Sequence, residues 1–179
     1  FDDPAFQRFC DDMLETMLEY DGTGLAAPQV HTLLRVVVLQ LDEEREPEFL
    51  INPVIEALTD EESSMMEGCL SVEGMRGRVW RPDHVKVVAQ DRDGTPKGYE
   101  LEGFPAIVVQ HECDHLDGIL YIDRCDTRTL AFMTEYKRFG PVDTFFEEQL
   151  EGEDDDDLTD DELAELAESM DDDLELEED

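Results

Sequence analysis

A chain of 179 residues, 40% of them hydrophobic, is long enough for one ordinary domain with a core and a short appendage. Its 50 Asp and Glu against 13 Lys and Arg, a formal charge of −37, argue against binding DNA, RNA or anionic lipid, because contacts to phosphates rest on basic side chains. No apolar run approaches the roughly 20 residues needed to span a bilayer. Four scattered cysteines, Cys10, Cys69, Cys113 and Cys125, point to a reducing compartment rather than a disulfide scaffold.

The charge is unevenly spread. Residues 147–179 hold 20 Asp and Glu and no Lys or Arg, which leaves −17 for residues 1–146. Two regions are therefore expected: a globular domain over 1–140 and an acidic, largely disordered tail over 141–179. No signal peptide is visible, and the chain begins at Phe1 rather than Met, so the expectation is either a fragment lacking an N-terminal piece or a fold trimmed at one edge.

In chain order, Phe6, Phe9, Cys10, Met13, Leu14, Met17 and Leu18 follow helical spacing, so a helix is predicted over 4–20. Asp3 suits its cap, Pro4 its first turn and Gly22 its end. The small-residue loop Gly22-Thr-Gly-Leu-Ala-Ala-Pro-Gln29 follows, then buried strands at 35–41 and 49–55. Residues 59–64 read as an acidic loop leading into Met65-Met-Glu-Gly-Cys-Leu-Ser71. Further strands are predicted at 78–80, 84–90 and 99–102, with Asp93-Gly94 as a hairpin turn. A helix is predicted over 105–116, closed by Gly118, and another over 128–138. Strands gathered around a helix without regular alternation indicate an α+β fold with antiparallel or mixed sheets.

The chemistry concentrates in Gln110-His-Glu-Cys-Asp-His115. Histidines four residues apart stand on one helix face and can reach a single metal ion, with Glu112 beside the remaining coordination position as proton carrier. Phe104, Ile107, Val108, His111 and His115 share a stripe, so the imidazoles point inward. Two core-facing histidines flanking a glutamate would be costly without a partner. A catalytic site of this kind has three protein ligands and one open position. The pattern continues to Gly118 like a metzincin, but Tyr121 stands where the third histidine is needed. Glu135 is the candidate for a zincin-type peptidase, and Cys69, in Glu-Gly-Cys-Leu-Ser, is the candidate presented from a strand.

Three segments together, 22–29, Glu67-Gly-Cys-Leu-Ser71 and 110–115, resemble the signature motifs of the peptide deformylases in order and spacing, over roughly residues 5–140. The resemblance implies hydrolytic removal of the N-formyl group from the initiator methionine of new bacterial or organellar proteins, with release of formate. It implies Cys69, His111 and His115 as ligands of one divalent ion, Fe(II) by family; a thiolate with two imidazoles also suits Zn(II), Ni(II) or Co(II). A formamide is unreactive, and metal binding lowers the pKa of water to about 7. Gln29 and the Leu70 N–H can stabilise the oxyanion, and Glu112 can protonate the departing amine. The plainer alternative for Gln29 is a loop amide bonded to its own backbone.

Gly22 and Gly24 let a backbone approach closely, and Thr23 with Gly24 suits a peptide substrate lying along an edge strand. Met65, Phe104, Ile107 and Val108 are candidates for a methionine side-chain pocket; plain core is their alternative. Glu67 and Arg81 resemble a family pair that steadies the ligands, with a surface ion pair as alternative. Cys10, Cys113, Cys125 and His84 read as packing or surface. The sequence departs from the family pattern at Thr23, at His31 (commonly glycine) and at Glu73 (commonly proline). It also lacks the N-terminal strand segment that usually precedes the first helix.

The implied partners are nascent N-formylated polypeptides and, transiently, the ribosome, in the cytoplasm or an organelle, with no nucleic-acid or membrane binding. Some family members reach ribosomal RNA with a basic extension; a tail of −20 is repelled from it. Thr159-Asp-Asp-Glu162 is a capping box, and Leu163, Leu166, Ala167 and Met170 follow helical spacing, so a short amphipathic helix is expected near 159–170. Such a tail either folds against a basic or apolar groove of a partner protein or only solubilises the chain. An acidic interaction protein with a fully coordinated structural metal is the competing reading from another class.

Overall fold

The computed structural model describes residues 1–41 and 46–140. The expectations for the tail, including the helix near 159–170, lie outside the described residues. Helix α1 spans Pro4–Glu19; Asp3 Oδ1 accepts the Ala5 N–H at 2.8 Å, and the Gly22 N–H closes the far end on the Met17 carbonyl at 2.9 Å. Its Cys10, Met13 and Met17 are fully buried against Val36, Val38, Phe49 and Ile51, the inward face that the helical spacing requires.

Eight strands follow: β1 Gly24–Ala26, β2 Val36–Leu39, β3 Glu48–Ala57, β4 Glu62–Cys69, β5 Val72–Pro82, β6 His84–Gln90, β7 Pro96–Glu102 and β8 Asp126–Phe132. They form a five-stranded sheet, β1-β2-β3-β6-β7, and a three-stranded sheet, β4-β5-β8. Every described pairing is antiparallel, which removes the mixed alternative. Helix α2, Phe104–Leu116, carries residues 111–115, and α3 covers Met133–Phe139. Ala106, Val108, Val109 and Cys113 of α2 pack on Val37, Leu39, Leu50, Val85 and Val87 of the larger sheet. The sheet thereby fixes the face of α2 that remains for chemistry.

Two predicted elements change. Residues 128–138 are not one helix: Asp126–Phe132 pairs with β5, Met75 opposite Phe132 and Arg76 opposite Ala131, and only then does α3 begin. Thr127 and Thr129 are β-branched and suit a strand, and the open edge of β5 supplies the hydrogen bonds that decide it. The loop predicted over 59–64 ends early, because Glu62, Ser63 and Ser64 pair with Pro82, Arg81 and Trp80. The acidic composition there marks the exposed edge of a strand. Residues 78–80 are likewise only a short part of the long β5, toward its C-terminal end. The turn at Asp93-Gly94 is as expected, with the Gly94 N–H on the Asp91 carbonyl at 2.9 Å.

Candidate functional site

Cys69 is the last residue of β4 and pairs with Val72 across the two-residue turn Leu70-Ser71. That turn brings its sulfur over α2. The Cys69 Sγ, His111 and His115 donor atoms all lie within 4.8 Å of one another, and Sγ is 3.2 Å from His115 Nε2. The two imidazoles meet edge to face with centroids 5.0 Å apart. Among the described residues this is the only cluster of three or more such donors. A soft thiolate and two imidazoles suit a first-row divalent ion, and three protein donors leave room for an exchangeable position.

Electrostatics separate Cys69 from the other thiols. Burial raises its pKa, but hydrogen bonding with His111, His115 and the Ser71 N–H prevails and brings it from 9.0 down to about 5. Cys113, two residues before His115 on the opposite face, is pushed by burial up to about 12 and belongs to the core. Burial likewise raises the Glu112 carboxyl to about 7, against the lowering effect of the neighbouring histidines. Glu112 is 5% exposed, and its Oε2 is buried with no hydrogen-bond partner. An orphaned carboxylate oxygen beside a donor cluster is what a site built for a missing proton donor would contain.

Glu67 and Arg81 are not a surface pair. They are 5% and 3% exposed, and Arg81 grips Glu67 with Nε at 2.6 Å and Nη2 at 3.0 Å. Glu67 Oε2 is 2.7 Å from His111 Nδ1, which directs the other ring nitrogen of His111 toward the cluster. Arg81 Nη1 also holds Asp114 at 2.8 Å, and Arg124 Nη2 holds the other oxygen of Asp114 at 2.8 Å. Asp114 and Arg124 were not anticipated from the sequence. Asp114 sits between two singled-out residues of 111–115, but its partners come from β5 and from beyond α2, and spacing alone does not reveal them.

Gln29 lies in a short 3₁₀ turn, Ala27–Val30. The loop-amide alternative describes half of it: Oε1 accepts the Ala26 N–H at 2.8 Å. Its Nε2 faces away from its own backbone, toward Ser71 Oγ at 3.2 Å and Cys69 Sγ at 3.6 Å. The anchored carbonyl aims the amide donor at the cluster.

A cavity of about 580 Å³ opens over these groups. Thr23, Gly24, Gln29, Met65, Glu67, Cys69, Leu70, Phe104, Ile107, Val108, His111 and Glu112 all line it, whereas Arg81 lies behind. Ile107 and Val108 are buried, while Phe104 is 45% exposed at the rim and departs from the inward stripe. Val108 lines the cavity and also belongs to the core beneath. Tyr20, Met75, Arg76 and Met133 are among the further lining residues, and the sequence reading missed them. Arg76 and Met133 come together because β8, read as helix from sequence, delivers α3 beside β5; Arg76 Nε lies 3.3 Å from Met133 Sδ. Glu135, the peptidase candidate, is exposed on α3 and does not line the cavity.

The polypeptide deformylase family model matches residues 1–130. The chain belongs to that family. It is 52% identical over 122 residues to peptide deformylase 1 of Pseudomonas syringae pv. tomato, covering 68% of this chain and 73% of that one. It is 48% identical over 126 residues to the peptide deformylase of Pseudomonas aeruginosa, covering 70% and 75%. Among solved structures, the peptide deformylase of Synechococcus elongatus in complex with actinonin superposes with a TM-score of 0.67 at 40% identity, covering 70% of each chain. The family is one of metal-dependent hydrolases that use a single catalytic metal, and the Cys69, His111 and His115 donors form a candidate site for one. Among the described residues no helix is long and apolar enough to cross a membrane.

Proposed function

We propose that Cys69, His111 and His115 hold the divalent ion and that Glu112, Gln29 and the Leu70 N–H work around it. The reaction is the family's: hydrolytic removal of the N-formyl group from the N-terminal formyl-methionine of newly made polypeptides, releasing formate. The observation that carries the site reading is the convergence of three soft and borderline donors within 4.8 Å beside the unpartnered Glu112 Oε2. Fe(II) is our reading for the cell, by family; the donor set itself also suits Zn(II), Ni(II) or Co(II).

When bound, the ion supplies Lewis acidity and lowers the pKa of water toward about 7. Glu112 takes the proton of the attacking water on Oε2 and delivers it to the amine nitrogen as the C–N bond breaks. A carboxyl raised to about 7 by burial is poised for both transfers. Negative charge gathers on the formyl oxygen, where Gln29 Nε2 and the Leu70 N–H donate; one such donor is worth about 2.7–4 kcal/mol of barrier. Glu67, backed by Arg81, keeps His111 turned to the ion. Met65, Phe104, Ile107 and Val108 receive the methionine side chain, and Thr23 with Gly24 lines the path of the peptide backbone.

We place the protein in the cytoplasm or an organelle, meeting nascent chains near the ribosome without docking on its RNA. The test is formate release from a formyl-methionyl peptide by the metal-loaded protein. Glu112→Gln should retain the ion and lose roughly 10²–10⁴ in turnover. A chelator should abolish activity, and actinonin, bound by the Synechococcus relative, should inhibit. Cleavage of internal peptide bonds without formate release would overturn the proposal.

A further inference from the structure

Tyr121 is 1% exposed, and its hydroxyl is buried with no hydrogen-bond partner. With no protein partner for its hydroxyl, the side chain's contacts in this structure are made by its ring. Its ring lies nearly parallel to the His111 imidazole, 20° between planes and 6.3 Å between centroids. The same side chain packs in a small cluster with Val79 and Cys125, and Cys69 leans on that cluster. Tyr121 therefore touches the surroundings of two donors that come from different elements, Cys69 from β4 and His111 from α2.

The chain is shaped to put it there. After α2, Gly118 adopts φ 74°, a left-handed conformation, and the Ile119 N–H returns to the Asp114 carbonyl at 2.9 Å. Tyr121 then opens a 3₁₀ turn whose carbonyl accepts the Arg124 and Cys125 N–H groups at 3.0 and 2.9 Å. The ring is held from its own backbone.

We infer that Tyr121 is a positioning residue: its flat face sets the plane of His111 and its distance from Cys69, and its hydroxyl is dispensable. Glu67 holds His111 at Nδ1 and Cys69 approaches the same ring; a near-parallel ring whose centroid lies 6.3 Å away adds a restraint on its tilt. The inference rests on the ligand assignment proposed above.

The test uses the whole chain, with ion affinity measured by competition against a chromophoric chelator and the absorption spectrum of the Co(II)-loaded protein. Tyr121→Phe keeps the face and sheds the unpaired hydroxyl, so it should match the parent in affinity and spectrum and melt no lower. Tyr121→Leu keeps an apolar side chain without a flat face and should lose roughly ten-fold in affinity, with shifted Co(II) bands. A folded Leu variant with parental affinity and spectrum overturns the inference, and so does a Phe variant that loses affinity, even if the Leu variant fails to fold. If the parent itself binds no ion, it is the ligand assignment that fails.

Discussion

Gly24 faces Glu112 so closely that a Cβ at position 24 would sit 2.7 Å from both Cγ and Oε1 of the glutamate. Strand β1 thus passes over the Glu112 side chain, the proposed proton carrier, with no room for a methyl group. The glycine-rich segment 22–29 and residues 110–115 are two surfaces of one contact, joined across the chain by this approach.

Gly24→Ala should therefore fold but push Glu112 off its position. A displacement near 1 Å costs on the order of 10²-fold in turnover. Steady-state kinetics on a formyl peptide, alongside ion content, checks this; turnover within experimental error of the parent would show that the glutamate tolerates the shift.

Arg81→Leu leaves Glu67 buried without its cation, and breaking such a pair costs about 3–5 kcal/mol. Urea unfolding should register it as a lower midpoint. Burial alone would raise the Glu67 pKa, but hydrogen bonds with His111 and Arg81 prevail and hold it below the ordinary value of 4.5. Its stabilisation is then complete above the unfolded carboxylate range and is lost as the pH falls through the folded value. The parent's stability should drop on acidification below that range, and the drop should be shallower in Glu67→Gln. Equal acid sensitivity in both would assign the loss to other carboxylates.

His31, where the family pattern carries glycine, has φ 63°, a left-handed conformation that costs a Cβ-bearing residue roughly 1–2 kcal/mol. Its side chain is exposed and its position closes the turn that holds Gln29. His31→Gly should raise the melting temperature by roughly 1–3 °C after glycine's larger unfolded entropy is subtracted. A fall of similar size would show that histidine makes a compensating contact.

Deleting residues 147–179 removes 20 acidic residues and no basic ones. Turnover on short formyl peptides should be nearly unchanged, while solubility near neutral pH declines. Loss of activity on small substrates would make the tail part of the catalytic domain.

Much of the site was legible because helical geometry is local. Four residues between His111 and His115 place both rings on one face whatever surrounds them, and the alternation and caps of α1 and β6 follow from the same short-range rules. Cys69 and Gln29 could be joined to the histidines only through the family resemblance, since nothing local to 69 or 29 points to α2. Tertiary contact alone decided three matters. It turned residues 126–132 into a strand, because β5 offered an open edge that outweighed helical spacing. It buried Glu67 and Arg81 and extended them to Asp114 and Arg124, because those side chains meet only when β4, β5 and α2 pack together. It set Tyr121, a residue noted in the sequence only for not being histidine, nearly parallel to the His111 ring with centroids 6.3 Å apart. The sequence by itself determined which atoms could hold an ion. Their spacing and electrostatics depend on low-dielectric surroundings assembled from distant segments, and only the folded chain supplies those.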